Sequence, residues 1–574
     1  MRPHRIQGFS LPDFDWDHEP IPFESENEFL VEENWDPEES ILDIFLAIGK
    51  YSQRIHYERS VLSSICKEKV LAALRQGSNK APAALGAWLD ERSRGGGGPR
   101  SGSGSVSAKE LYQKLKLKRF GEDDQPDVDT RRIHIPNPDS WTVAALVLTA
   151  SRTLAPVISN LLWRHFTSHR SFKATFTPGA FAFNLEFHMP YFAWRRHVKP
   201  RTDSRKRPDG SPCRKWIDLS FLTGKDTSKV DGSAINFLYE AQTSVVVAGY
   251  NNRVWTAILL TDNYFVDDDA EVIFNEDSLH YHEYSSKEDG IYHDALTVAE
   301  FDANTPIWDP REYFCTVVRM RLNQLLEEWS SVSSHLKADI EPFVEKPSIP
   351  SFKEQVSLAS AQTRARAVEK TYEWVNDVAL LLIKLIGTLS KAIESWSSFA
   401  TGDIYHFEKK ASNQLRISMH QIYGIFDQLA EILVELKDLQ GKSDFIKQQL
   451  DRYILVAGNR AVVFQNWNIR ILHVVSPLAI AAGIMQSNVV FFQPAFVCLG
   501  ALYMLVGLMM YFVEPALTSY HNFDQTARRR RQPLFADTEH TTELLEVPWD
   551  ASPITFPEPT FSNAAIRERR RTTI

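Results

Sequence analysis

The residues best suited to chemistry in this 574-residue sequence form an acidic segment that also contains histidines. It runs from Asp262 to Asp294, and its candidate metal ligands are Asp267, Asp268, Asp269, His280 and His282. Clusters of carboxylate oxygens suit hard divalent cations such as magnesium. The segment has no EF-hand spacing and no HExxH motif. Two interpretations therefore stay open, a regulatory ion site and a solvated acidic surface.

Enzymatic chemistry has no comparable pattern in the sequence. There is no GxSxG elbow, no GxGxxG turn after a strand and no kinase signature. The four cysteines are far apart and lack a CxxC pair, which disfavours a zinc finger or a disulfide framework; they are Cys66, Cys213, Cys315 and Cys498. A net charge of -9 gives no general attraction for nucleic acid. We predict a protein that is not an enzyme, has no covalent cofactor and does not bind nucleic acid.

An uncharged stretch near the C-terminus predicts a membrane segment. From Ile471 to Val513, 43 residues include no Asp, Glu, Lys or Arg. One straight helix of this length would measure about 65 Å, twice the hydrocarbon core of about 30 Å. We predict two transmembrane helices within 469–514, at about 469–486 and 490–513, separated by the polar triplet Gln486–Asn488. The alternative is a buried helical hairpin in a soluble protein.

The flanks of this hairpin predict its orientation. Arg470 precedes the first span, and the basic run Arg528–Arg531 follows the second. Basic residues favour the cytosolic side of a membrane. We therefore predict a multi-pass integral membrane protein with both termini in the cytosol, followed by a disordered tail at 515–574.

Long helices are predicted before the hairpin, in a stalk region at 311–468. Apolar residues there follow a heptad spacing at Leu415, Met419, Ile422, Phe426, Leu429, Leu433 and Leu436. Gly441 and Ser443 interrupt the pattern, which then resumes. A further helix is predicted at about 361–399. Packing within one chain and oligomerisation explain the heptads equally well.

The central part of the sequence predicts a cytosolic α/β domain at 131–310. Strand-like runs occur at 181–188, 216–222, 244–249 and 254–260. The apolar stretch from Trp141 to Trp163 carries Arg152 at its centre, so we predict a core helix broken near Pro156 rather than a membrane span. A mixed sheet with flanking helices is the simplest architecture for this pattern.

Two oppositely charged regions flank the predicted sheet. Twelve acids and no Lys or Arg lie between Asp13 and Glu39, in an acidic arm that opens a helical region at 1–90. This arm docks on a basic surface or keeps the chain soluble. A Gly/Ser-rich flexible linker is predicted at 91–130. A basic loop lies between the first two predicted strands, and three interpretations of it stay open: it contacts acidic lipid, it contacts the acidic arm, or it is solvated. Its basic residues are Arg195, Arg196, Lys199, Arg201, Arg205, Lys206, Arg207, Arg214 and Lys215.

Three phrases of the sequence carry a resemblance to a known family. They are LEFHMPY at Leu185–Tyr191, WIDLSFL at Trp216–Leu222 and WDPREYF at Trp308–Phe314. With the C-terminal hydrophobic pair, they resemble the fungal CorA-like magnesium-transporter-domain proteins over roughly 140–513. That resemblance implies a homopentamer with a cytosolic α/β domain, long stalk helices and two membrane helices per subunit, the first of which lines the pore.

The same resemblance implies where the pore selects its ion. The family carries three consecutive residues, Gly-Met-Asn, at the outer end of the first span. In this chain Gly, Met and Asn also occur there, but other residues separate them. The resemblance carries over Asn488, together with Gly483 and Met485. The polar residues Gln486 and Ser487 complete the predicted selectivity site.

We therefore predict a helix-rich α+β fold, in which the α/β domain is followed by stalk helices and a transmembrane hairpin. The expected function is a divalent-cation channel or transporter for magnesium, with the lipid bilayer and further copies of the chain as partners. The alternative is a non-conducting interaction or signalling protein on a CorA-like scaffold.

Overall fold

The computed structural model describes residues 14–18, 24–33, 40–47, 52–77, 81–95, 99–100, 103–121, 125–177, 182–223, 234–266, 292–345, 361–409, 411–486 and 500–505. The chain divides into two compact units, Met1–Ile454 and Leu455–Ile574. The first unit holds every strand described below. In the second unit, residues 455–486 and 500–505 are helical.

The first unit is built on one mixed sheet of eight strands. Their spatial order is β2-β1-β3-β8-β7-β5-β4, and β6 pairs with one part of β7. Only β3 and β8 pair in parallel among these strands, and all other pairs are antiparallel. The strands are β1 Leu85–Arg92, β2 Gly104–Ser107, β3 Thr130–Pro136, β4 Ser171–Thr177, β5 Ala182–His197, β6 Trp216–Asp218, β7 Ile235–Gly249 and β8 Trp255–Thr261.

Twelve helices are described along the chain. Those before and within the sheet are short, and three long ones follow it. They are α1 Glu24–Asn27, α2 Leu30–Glu33, α3 Ile41–Leu46, α4 Ser52–Ile65, α5 Glu68–Arg75, α6 Ala108–Leu115, α7 Ser140–Leu148, α8 Ala155–Phe166, α9 Pro310–Glu345, α10 Ala361–Thr401, α11 Tyr405–Glu408 and α12 Asn413–Gln486. This composition confirms the helix-rich α+β class.

Each face of the sheet packs against a different set of helices. Successive side chains of a strand point to opposite faces, and β7 shows this directly. Val245 and Val247 lie in a core shared with α9, α10 and α12, whereas Val246 and Ala248 lie in a core shared with α3–α8. Because both faces are covered, the central strands are apolar without alternation, which is the pattern of a sheet buried on both sides.

The apolar stretch near Pro156 is a broken core helix, as predicted. Asp139 caps α7, accepting hydrogen bonds from the backbone N–H of Trp141 at 3.2 Å and of Thr142 at 2.8 Å. The helix ends at Leu148, and α8 begins at Ala155 with Pro156 in its first turn. Arg152 lies in the exposed turn between the two helices. Its charge therefore stays in water while both helices are buried.

The predicted flexible linker at 91–130 differs from the structure. It contains β2 and α6, and β1 extends into it from the preceding segment. Ser107 and Glu110 form a capping box, in which Ser107 Oγ accepts from the Glu110 N–H at 3.3 Å and Glu110 Oε2 accepts from the Ser107 N–H at 2.8 Å. The Gly/Ser composition predicted flexibility, but the cap and the pairing of β2 with β1 order this part of the chain.

The heptad residues of α12 face the interior of the first unit. Leu415, Ile422, Leu429 and Leu436 are fully buried in the core against α9 and α10. The helix continues without a break through Gly441 and Ser443. Packing within one chain thus accounts for these positions.

The predicted membrane hairpin lies partly outside the described residues. Within the ranges given above, no helix is both long enough and apolar enough to span a membrane. The predicted first span, at about 469–486, forms the end of α12. Of the predicted second span, only 500–505 are described, and they are helical.

Candidate functional site

The predicted selectivity residues lie at the end of α12 and beyond it. Gly483, Met485 and Gln486 belong to the last turn of the helix. Ser487 and Asn488 lie outside the described residues. The described part of the helix thus reaches the first residue of the polar triplet that was predicted to separate the two spans.

The predicted regulatory metal ligands lie outside the described residues, which omit 267–291. This stretch contains Asp267, Asp268, Asp269, His280 and His282. In the part of the chain that is described, no three His, Cys, Asp or Glu side chains are grouped to hold a metal ion. The two ends of the acidic segment, Asp262 and Asp294, are described, and each lies in a buried ionic cluster.

Asp262 is held by two arginines of the basic loop. Its carboxylate accepts a hydrogen bond from Arg214 Nε at 2.5 Å, and Arg205 Nη1 lies 2.8 Å from Oδ1. All three side chains are almost completely buried. Burial raises the pKa of the Asp262 carboxyl, but Arg205 and Arg214 outweigh burial and hold this pKa well below its usual range. Asp262 is therefore an arginine partner and not a free metal ligand.

A hydrogen-bonded chain of Ser244, His165 and Asp262 crosses this cluster. His165 Nδ1 lies 3.1 Å from Ser244 Oγ, and Nε2 lies 3.2 Å from Asp262 Oδ1. The order of the three residues is that of a hydrolase triad, but the two ring nitrogens of the histidine are exchanged. However, Ser244 and His165 are fully buried, and Asp262 is already paired with two arginines. A substrate cannot reach the serine in this arrangement. The three hydrogen-bonded side chains therefore have a structural role, and they connect α8, β7 and the end of β8.

Asp294 closes the other end of the acidic segment. Its Oδ2 accepts from Arg132 Nη1 at 2.8 Å and from the Tyr313 hydroxyl at 2.9 Å. Arg132 also donates to Asp90 of β1. Burial lowers the pKa of the Arg132 guanidinium, but Asp90 and Asp294 outweigh burial and raise it above its ordinary value. This cluster therefore ties the start of α9 to β1 and β3.

The phrase at Trp308–Phe314 forms the junction between the sheet and α9. The carbonyl of Trp308 accepts from Trp255 Nε1 of β8 at 2.9 Å. Arg311 donates to Asp309 and, through Nη1, to the carbonyl of Lys409 at 2.9 Å. Tyr313 reaches Asp294, as described above. The phrase that carries the family resemblance thus connects β8, the start of α9 and the turn before α12.

The sequence did not reveal which bases of the basic loop are buried. Arg205 and Arg214 are buried with Asp203 and Asp262, whereas Lys199 is exposed to solvent. Asp203, two residues before Arg205, was the available signal, and Arg205 Nε donates to its Oδ1 at 2.8 Å. The partner Asp262 lies 48 residues from Arg214 in sequence, and only the pairing of the strands brings the two together.

Comparisons with known proteins found similar solved structures. No protein-family model and no curated protein matches the chain. A structure of the full-length CmaX protein is similar to 77% of this chain over 100% of its own length, with 11% identity and a TM-score of 0.34. The CorA magnesium transporter from Methanocaldococcus jannaschii is similar to 75% of this chain over 97% of its own, with 10% identity and a TM-score of 0.29.

A third similar structure is the ZntB cytoplasmic domain from Vibrio parahaemolyticus RIMD 2210633. It matches 57% of this chain over 92% of its own length, with 8% identity and a TM-score of 0.23. At these levels of identity and TM-score, the three similarities do not indicate what this chain does.

Proposed function

We propose that this chain is an integral membrane protein that conducts divalent cations, with magnesium as the transported ion. The observation that carries the proposal is the uncharged stretch Ile471–Val513 and its position on α12. The helix extends to Gln486, so the first 16 residues of the stretch are helical. A stretch of 43 residues without a charged side chain is long enough for two crossings of a bilayer core of about 30 Å.

The resemblance to CorA-like proteins supports the same proposal. Leu185–Tyr191 lies in β5, Trp216–Asp218 forms β6 and Trp308–Phe314 starts α9. All three phrases belong to the framework of the first unit. Long helices then follow the sheet, as the resemblance implies. The proposed assembly is a homo-oligomer in the lipid bilayer, a pentamer by the resemblance, with both termini in the cytosol.

The proposed selectivity site is the polar triplet at the end of the first span. Amide and hydroxyl oxygens of Gln486, Ser487 and Asn488 would hold the water around a hydrated magnesium ion, which sheds its water reluctantly. Gly483 and Met485 would form the last helical turn below them.

A second candidate function is favoured by the interrupted Gly-Met-Asn signature. Gly483, Met485 and Asn488 are separated by other residues, unlike in the family. A scaffold that keeps the membrane hairpin but does not conduct would need no such signature. The chain would then be an interaction or signalling protein that the hairpin anchors in the membrane.

Magnesium uptake into proteoliposomes distinguishes the two functions. The full chain is reconstituted beside an active CorA-type protein, and uptake is followed with an enclosed magnesium-sensitive dye. Asn488→Ala tests the proposed selectivity site. Asn466→Ala is the matched control, because Asn466 is an exposed residue of α12 outside the uncharged stretch. Flotation and alkaline extraction establish in parallel that the chain is inserted in the bilayer.

Three results are informative. Uptake that is lost in Asn488→Ala and kept in Asn466→Ala supports the conducting function. An inserted, oligomeric chain without uptake, beside a working control, supports the scaffold. A chain that is extracted at alkaline pH as a monomer contradicts both.

The acidic segment extends the proposal to a regulatory ion site. Asp267, Asp268, Asp269, His280 and His282 would supply oxygen and imidazole ligands to a divalent cation. Calorimetric titration of the detergent-solubilised chain with magnesium tests this, comparing the wild type with the combined Asp267→Asn, Asp268→Asn and Asp269→Asn variant. Equal heats in the two proteins would exclude the site.

A further inference from the structure

The acidic arm is described at Phe14–His18 and Glu24–Glu33, where it contacts the rest of the first unit in the manner of a peptide ligand. Its helices α1 and α2 have only four residues each. Its pairing with the rest of the unit is an isolated bridge between Phe29 and Ser151, beside a hydrogen bond of 3.0 Å from the Leu30 N–H to the Ala150 carbonyl. Most other contacts come from side chains of the arm.

Four donors converge on the carboxylate of Glu26, which is only 7% exposed. Oε1 accepts from the hydroxyls of Thr153 at 2.6 Å, Tyr250 at 2.8 Å and Ser151 at 3.2 Å. Oε2 accepts from Arg119 Nη1 at 3.4 Å. Charge-assisted hydrogen bonds of this kind are the stronger ones in proteins. We call the four residues that donate to Glu26 the Glu26 receptor; they are Arg119, Ser151, Thr153 and Tyr250.

Arg119 is fixed independently of the arm. Its guanidinium donates to the carbonyls of Val128 at 2.7 Å, Asp129 at 2.6 Å and Trp255 at 2.8 Å. Burial lowers the pKa of Arg119 to about 10, so the side chain stays charged at neutral pH. The Arg119 side chain is thus held by β8 and by the loop before β3, and a carboxylate from elsewhere would meet the same charge.

The residues after Glu26 give the contact its specificity. The Asn27 side chain accepts from the backbone N–H of Arg119 at 2.9 Å and of Phe120 at 3.1 Å, and it donates to the Phe120 carbonyl at 2.8 Å. Leu30 and Val31 are 3% and 0% exposed, packed in the core with α3–α8. The bound sequence therefore reads Glu-Asn-x-x-Leu-Val, with one charged, one amide and two apolar determinants.

A cavity of about 30 Å³ lies beside the Glu26 carboxylate, lined in part by Arg119, Thr153 and Tyr250. It has room for about one water molecule. The carboxylate therefore borders a cavity and is not enclosed by protein on every side.

We propose that the Glu26 receptor is a docking site for an acidic peptide and that it exchanges the chain's own arm for the arm of a second copy. The two arms have the same sequence, so docking between copies makes the same contacts as docking within one. Exchange of an identical element between protomers is a low-cost route to assembly. Arms carry the same negative charge and repel each other in solution, whereas the receptor offers Arg119. The proposal is independent of whether the chain conducts ions.

Cysteine trapping on full-length chains tests the exchange. Facing residues of an antiparallel bridge lie close enough for a disulfide, so one copy carries Phe29→Cys and the other Ser151→Cys. The second change removes one donor of the receptor and leaves Thr153, Tyr250 and Arg119. Both copies carry Cys498→Ser, and the native Cys66, Cys213 and Cys315 are buried. A chain with both substitutions reports docking within one copy. Mixing the two single variants and oxidising them mildly should give a disulfide-linked dimer.

The interchain disulfide should be lost when Glu26→Arg is added to the Phe29→Cys copy, because Arg119 then repels the arm. Asn27→Ala is a milder second variant, should Glu26→Arg disturb folding, and it should reduce the dimer severalfold. A disulfide only within the double variant, with no mixed dimer, overturns the exchange. No disulfide in any variant overturns the docking itself.

A labelled peptide gives an independent readout. A fluorescent peptide of residues 24–33 should bind the Glu26→Arg chain, whose receptor is vacated, more tightly than it binds the wild type. Adding Tyr250→Phe, which removes one donor to the carboxylate, should weaken binding about tenfold. Equal binding with and without Tyr250→Phe would place the peptide elsewhere and contradict the proposal.

Discussion

The guanidinium of Arg311 lies over the indole ring of Trp16, with 4.7 Å between Cζ and the ring centroid. Trp16 belongs to the acidic arm, and Arg311 belongs to the first turn of α9. The same guanidinium donates to the carbonyl of Lys409, just before α12. One arginine thus joins the arm to the beginnings of two long helices.

Replacing Arg311 by lysine should destabilise this junction although the charge is kept. Lysine lacks the planar fork that bonds Asp309 and the Lys409 carbonyl while stacking on Trp16. We expect the free energy of unfolding to fall by about 1–3 kcal/mol, measured by denaturation of the detergent-solubilised chain. Arg366→Lys, at an exposed position of α10, should leave it within about 0.5 kcal/mol. Equal effects of the two changes would show that the fork does not matter.

Neutralising Asp262 should be much more costly. Asp262→Asn leaves the buried Arg205 and Arg214 without their shared carboxylate, and an uncompensated buried charge costs about 3–5 kcal/mol. The melting temperature and the denaturant midpoint should both fall. Asp209→Asn is the control, because Asp209 lies exposed in the same loop. A small effect at Asp262 would mean that water reaches the two arginines.

Stability should decrease on acidification through His165. Burial lowers the pKa of His165 from 6.5 to about 4. Between these pH values the unfolded chain binds a proton that the native chain does not. Stability therefore falls as the pH decreases from 6.5 to about 4, by on the order of 3 kcal/mol from this group. Unfolding measured across this range should show a shallower pH dependence in His165→Gln than in the wild type.

His420→Gln provides the comparison for that measurement, because His420 is exposed on α12. The free energy of unfolding of this variant should change with pH as steeply as that of the wild type. A slope that is unchanged in His165→Gln would assign the acid sensitivity to other groups.

Gly249 should not tolerate a side chain at the end of β7. A Cβ atom there would lie 2.3 Å from the Val254 carbonyl oxygen and 2.6 Å from Trp255 Cα. Both are backbone atoms, so the turn into β8 must move, and we expect Gly249→Ala to cost about 1–3 kcal/mol. Gly387→Ala on α10 should instead stabilise by about 0.5–1 kcal/mol, since a Cβ there meets no atom within 4 Å. Thermal unfolding of the two variants should shift in opposite directions.

Membrane topology should be readable from added cysteines. In a Cys498→Ser background, Ser487→Cys should react with a membrane-impermeant maleimide from the side opposite to the termini. Ser552→Cys in the C-terminal segment should react only from the cytosolic side, because a basic run such as Arg528–Arg531 favours that side of a membrane. Labelling of both positions from one side of sealed vesicles would contradict a hairpin.

Local pattern was enough to predict several elements of this chain. Arg152 and Pro156 predicted a core helix broken between two buried halves, and the heptad from Leu415 to Leu436 predicted the buried side of α12. Such periodicities depend on residues that lie on one element, so the sequence itself determines them. The uncharged stretch Ile471–Val513 is local in the same way, and it remains the basis of the membrane proposal.

Only the tertiary structure decided which charges are neutralised. Arg205 and Arg214 look like their neighbours in the basic loop, and burial against Asp262 separates them from exposed Lys199. Glu26 is one of twelve acids in the arm and meets Arg119 93 residues away. Ion partners are fixed by which strands and loops lie side by side. Distance along the chain does not encode that adjacency, so these clusters appear only once the sheet is assembled.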